Sequence, residues 1–123
     1  SNGLLYLEEK VWIHQGDLNL TADKATVYFY PKSESVDKVI VEGNTTITKS
    51  DLKTNKKVSA KSNKASFFIQ KKELVLEGEA ILTRGSEVVA GDRINYNLDS
   101  GEIIGSGVRG VVNPSSDSST QQP

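Results

Sequence analysis

The chain has no cysteine, a single histidine and a net charge of only −1 over 123 residues. Absence of cysteine excludes a disulfide framework and thiol chemistry, and leaves the compartment open, since a periplasmic protein does not require disulfides. The lone histidine is accompanied by no G-x-S-x-G elbow and no phosphate-cradling glycine loop. A catalytic site needs unlike groups converging on one point, so the sequence does not read as an enzyme. Near-neutrality removes the long-range attraction that a phosphate backbone exerts on a basic protein, which sets nucleic acid aside as a partner. No apolar run is long enough to cross a bilayer and no charged-then-apolar leader opens the chain, so the sequence reads as a soluble, processed one, with residues 1–3 resembling a tag remnant. Helical spacing of apolar residues is also missing: nowhere does it persist for three turns.

What is present is repetition. The pattern small, Asp or Asn, Lys or Arg, apolar, any, apolar occurs at Ala22-Asp23-Lys24-Ala25-Thr26-Val27, at Ser62-Asn63-Lys64-Ala65-Ser66-Phe67 and at Gly91-Asp92-Arg93-Ile94-Asn95-Tyr96. An apolar-any-Gly step interleaves with it at Val41-Glu42-Gly43, Leu76-Glu77-Gly78 and Ile103-Ile104-Gly105. Repeats of this size build stacked architectures in which each unit buries its apolar face against its neighbours. Both signatures read as corners. Asp or Asn bonds nearby amides while the small residue lets the chain bend, and the glycine step makes a second corner closing the strand before it.

Between corners the periodicity is two. Gly3 to Gln15 alternates around Leu5, Leu7, Val11 and Ile13 and reads as a strand pair or one bent strand. Gly16-Asp17 and Gly85-Ser86 are two-residue turn signals. Branched and aromatic residues dominate the apolar positions, so the expected fold is all-β: one antiparallel, stacked-repeat domain over residues 1–114. Residues 115–123 are Ser, Thr, Asp, Gln and Pro, which cannot bury enough apolar area to order themselves.

Several polar residues invite a chemical reading and have a plainer one. Asp23, Asn63 and Asp92 are oxygen donors for a hard cation only if they converge; one per repeat, they serve turn formation better. Glu42 and Glu77 each precede a repeat glycine and read as solvated positions in equivalent rungs rather than an acid–base pair. His14 sits at outward parity, and Trp12 lies on the face opposite Val11 and Ile13. The inward parity is bulky and greasy: Ile47, Phe67, Ile69, Leu76, Leu82, Ile94, Tyr96 and Leu98. Such a face suits a sealed core, and equally a groove for acyl chains. Unpaired first and last strands offer a second role, recruitment of further strands at exposed edges, as in a scaffold domain with a dry core.

The run E-K-V-W-I-H-Q-G-D-L-N-L-T-A-D-K-A-T-V-Y-F resembles the signature of the LptA/OstA-like family of periplasmic lipopolysaccharide-transport proteins, and L-E-G-E-A-I-L-T, V-A-G-D-R-I-N-Y-N and V-R-G-V-V-N-P-S resemble its later motifs in the same order. The similarity spans Leu4 to Ser115; it departs where the family's Gly-Asn is Glu9-Lys10, and the family's extreme N-terminal strands are absent or short. The resemblance implies a twisted, slightly open β-jelly roll without cofactor or catalytic residues. Its interior takes lipopolysaccharide acyl chains, and protomers stack head to tail between LptC-like and LptD-like partners in the Gram-negative periplasm. Carried onto this chain, Ile47, Phe67 and Ile69 match the family's lining positions. Parity adds Val27, Phe29, Tyr96 and Leu98, with Leu76 and Leu82 on the same face. Leu5 and Leu7 at one end and Val108, Val111 and Val112 at the other are the expected edge-strand interface.

Overall fold

The computed structural model describes residues 3–51 and 55–112, with side chains through Val108. Seven strands follow one another: β1 (Leu4–Gln15), β2 (Leu18–Phe29), β3 (Val36–Asp51), β4 (Lys56–Phe68), β5 (Glu73–Arg84), β6 (Glu87–Asn97) and β7 (Ile103–Val112). Each pairs antiparallel with the next, so one sheet runs in the order β1 to β7, with β1 and β7 outermost among the described residues. The two-residue turns fall where the sequence signals them, with Gln15 opposite Leu18 across Gly16-Asp17 and Arg84 opposite Glu87 across Gly85-Ser86. The expected polar tail, 115–123, lies outside the described residues.

Strands of 10 to 16 residues are about twice the usual length, and each is bent near its middle. Glu8 pairs with Lys24 and Val11 with Ala22, leaving Glu9-Lys10 opposite the single residue Asp23. The same two-against-one step places Gly43-Asn44 opposite Asn63, and Gly78-Glu79 opposite Asp92. This is a β-bulge repeated on β1, β3 and β5, and a bulge bends its strand and sharpens the local twist. The extra residues occupy left-handed backbone: φ is 71° and 60° at Glu9 and Lys10, 85° and 48° at Gly43 and Asn44, and 84° and 49° at Gly78 and Glu79.

The two sequence signatures are therefore one corner seen from its two sides. The Asp or Asn of an even-numbered strand lies against the glycine of the following odd-numbered strand. A Cβ added at Gly43 would come within 2.6 Å of Asp23 Oδ2, one at Gly78 within 2.7 Å of Asn63 Nδ2, and one at Gly107 would meet Asp92 Oδ2. Two expectations are corrected by this geometry. The glycine step does not close its strand, because β3 and β5 run on through it, and the third glycine of the set is Gly107 rather than Gly105. Of the two readings of Gly3 to Gln15, the single bent strand holds, as β1 (Leu4–Gln15).

The row of bulges folds the sheet into two half-sheets that face each other. Arg84, at the far end of β5, donates from Nη1 to the carbonyl of Gly101, in the turn beyond the opposite end of β6. Were β6 straight, its 11 residues would hold those ends about 35 Å apart. Inward side chains line up as rungs. Val27, Val39, Phe67, Leu74 and Tyr96 form one in the first half-sheet, and Leu20, Ile47, Ala60, Leu82 and Val89 another in the second. Along the fold apex the inward residues shrink to Ala22, Thr45, Ser62, Ala80 and Gly91, which lets the two halves meet. Gly91 is also tight against its neighbouring strand: a Cβ there would sit 3.0 Å from the Ser106 carbonyl oxygen of β7.

Candidate functional site

The space between the half-sheets changes character along the sheet. Around β4 to β6 it is sealed: Leu76, Leu82 and Ile94 have no accessible surface, and Ile47, Leu74 and Tyr96 retain about 1%. Towards β1 it opens into a cleft of about 340 Å³ lined by Leu7, Ile13, Val27, Val36, Val39, Phe67 and Ile69, with His14 and Gln15 at its rim. Leu7 and Ile13 stand six residues apart on β1, some 20 Å in a straight strand, and share one cleft only because β1 bends at Glu9-Lys10. A cleft of this size and apolar character takes a small hydrophobic ligand or part of a larger one.

The β5–β7 side is closed by a clasp. Arg84 follows Leu82 at inward parity; its Nε and Nη2 donate to Glu87 at 3.2 and 3.0 Å while Nη1 reaches Gly101 across the gap. Asn97 braces the receiving turn, its Oδ1 accepting from the amides of Asp99 and Ser100. The trough thus has an open mouth at one edge and a latched flank at the other.

The positions expected to line a groove divide accordingly. Val27, Phe67 and Ile69 are at the mouth. Phe29 and Leu98 are half-buried against the core. Ile47, Leu76, Leu82 and Tyr96 belong to the sealed part. Leu5 and Leu7 are on β1 and Val108, Val111 and Val112 on β7, the outermost strands; Leu5 and Val108 are about half exposed, and Val111 and Val112 pair their backbones with Val89 and Val88. Leu7, Ile13 and Val36 as mouth residues, and Arg84 as a clasp, escape a reading by parity. The available signal for Arg84 was a charged residue two positions beyond an inward leucine.

The chemically suggestive residues do not assemble. Asp23, Asn63 and Asp92 lie on alternate strands, about 9.5 Å apart at sheet spacing, each occupied with its own bulge; Asp23 also accepts from Asn44 Nδ2 at 3.0 Å. Glu42 and Glu77 are likewise two strands apart, both opposite Lys64. Asn19 Oδ1 accepts from Trp12 Nε1 at 3.2 Å and sits 2.8 Å from His14 Nδ1, an exposed cluster on the outer face of β1 and β2. Desolvation, helped by the neighbouring Asp37 carboxylate, pushes the Tyr30 hydroxyl above its usual range.

Residues 1–102 match the family described as LptA/(LptD N-terminal domain) LPS transport protein. The chain belongs to that family. Its fold agrees: LptH, the LptA-homologous periplasmic component of the lipopolysaccharide transport device of Pseudomonas aeruginosa, is similar to it with a TM-score of 0.76. The two are 16% identical, over 85% of this chain and 72% of that one, a likeness that speaks for fold alone. None of the curated proteins matches the sequence. Membership of the LptA/LptD N-terminal family makes this chain a β-jelly roll related to lipopolysaccharide transport, with a place in the cell envelope, and not an enzyme.

Proposed function

We propose that this chain is a periplasmic lipopolysaccharide carrier that holds acyl chains in the trough between its half-sheets, taking them in at the β1 mouth. The observation that carries this reading is the division of one apolar face into a sealed stretch and an open, mostly apolar cleft at the β1 edge of the sheet. Each methylene taken out of water contributes about 0.8 kcal/mol, so an apolar trough is an effective carrier without any chemistry of its own. Stacking of β7 of one copy on β1 of the next, or on LptC-like and LptD-like jelly rolls, extends the trough into a bridge between the membranes, because exposed edges accept further strands.

Phe67→Asp and Ile69→Asp test the mouth. Each places a carboxylate where acyl chains lie and is expected to abolish lipid A binding, while the outer-face control Trp12→Asp retains it. Photocrosslinking from position 69, but not from position 81 on the outer face, should capture lipopolysaccharide. Binding that survives both mouth variants refutes the groove. The extent of the sealed region favours one alternative, a scaffold domain with a dry core; for it, lipid neither binds nor shifts the melting temperature, while the protein still grows with concentration.

A further inference from the structure

We infer that the outer edge of β1 selects a partner strand carrying a lysine or arginine opposite Glu8, in preference to this chain's own β7. The basis is a row of charges on the outer face, beside the bulges. Glu8 lies opposite Lys24, Lys24 opposite Glu42, Glu42 opposite Lys64, Lys64 opposite Glu77, and Glu77 opposite Arg93. Acid and base alternate without a break across six strands, and Glu77 closes on Arg93 at 3.5 Å. On the other side of the bulges the corresponding outward row, Thr21, Thr46, Lys61, Ile81 and Ala90, carries no such order. Opposite charges facing each other across strands stabilise a pairing and like charges oppose it, so the row rewards only one register.

The row ends differently at its two edges. On β7 the residue opposite Arg93 is Ser106, which is neutral. On β1 it ends in Glu8, exposed, with Lys24 on its inner side and Glu9 and Lys10 following it in the strand. Six antiparallel pairings make β1 and β7 run in the same direction. A second copy docked by β7 with Gly107, the glycine that faces Asp92, aligned on the β1 bulge therefore forms a parallel joint that sets Ser106 beside Glu8 and Gly107 beside Glu9-Lys10. That joint interrupts the alternation. A partner strand with a cation at the same position continues it, and Glu9 reinforces the preference.

This inference rests on the edge-stacking part of the proposed function, and the experiment separates the two. Self-association of the whole chain is measured by sedimentation velocity at low and high salt for wild type, S106K, E8K/S106K and E8K/S106E. S106K supplies the missing cation and is expected to tighten association about twofold to fivefold at low salt, with the gain lost at high salt. E8K in the S106K background should cancel the gain, and the reversed pair E8K/S106E should restore it. Association of S106K equal to wild type, or a gain that survives E8K, overturns the selectivity and leaves stacking intact. Association in none of the four overturns both.

Discussion

Replacing Gly78 with alanine tests the bulge row as the device that folds the sheet. Gly78 has φ of +84°, where an L-residue is strained by about 1–2 kcal/mol. Its new Cβ would also stand 2.7 Å from Asn63 Nδ2 and 2.9 Å from Asn63 Cβ. The amide can rotate away, but the Asn63 Cβ is fixed to the backbone of β4. Carbon atoms rest at about 3.5–4.0 Å, so β4 and β5 must part by more than half an ångström in the middle of the sheet. Overpacking of that kind costs about 1–3 kcal/mol, and the restricted unfolded chain returns about 0.4–1. The expected net loss is about 1–5 kcal/mol. Glu9→Gly is the opposite case: φ of 71° already strains a non-glycine residue at the same place in β1, so relief of about 0.5–1 kcal/mol is expected after glycine's own entropic cost. Equilibrium urea unfolding measures both. Gly78→Ala within 0.5 kcal/mol of wild type, or Glu9→Gly as damaging as Gly78→Ala, refutes the account of the bulge by an amount well above the roughly 0.3–0.5 kcal/mol scatter of such comparisons.

Thr45 is 1% exposed and its Oγ1 has no hydrogen-bond partner, so Thr45→Val should raise stability by about 1 kcal/mol in urea unfolding; a loss would mean the hydroxyl is satisfied by bound water. Arg84→Met removes the clasp, and hydrogen exchange should speed up at the amides of Asp99, Ser100 and Gly101 while those of the Gly16-Asp17 turn stay unchanged; unaltered exchange refutes the latch. Leu82→Ala in the sealed trough should cost about 2–5 kcal/mol in the same unfolding assay, and Ile69→Ala at the partly wet mouth distinctly less. Equal costs would place the seal elsewhere.

Much of this architecture is legible before any coordinates. Period-two patterning, branched apolar residues and the turns at Gly16-Asp17 and Gly85-Ser86 are local signals, and local signals specify strands, turns and the inward face directly. The Ala22, Ser62 and Gly91 repeats announce equivalent corners for the same reason, and the family resemblance spans them. What the sequence does not reveal is that the Asp or Asn corner and the glycine corner are partners across neighbouring strands. That fact depends on register, and register is settled by pairing between residues some fifteen to twenty apart. Parity likewise identifies Phe67, Ile69, Leu76 and Leu82 as inward, but an inward residue is wet or dry according to what the opposite half-sheet brings against it. Only the folded sheet brings Leu7 and Ile13 into one cleft, seals Leu82, and carries Arg84 to Gly101, because each of these depends on the bend angle summed over seven strands rather than on any one of them.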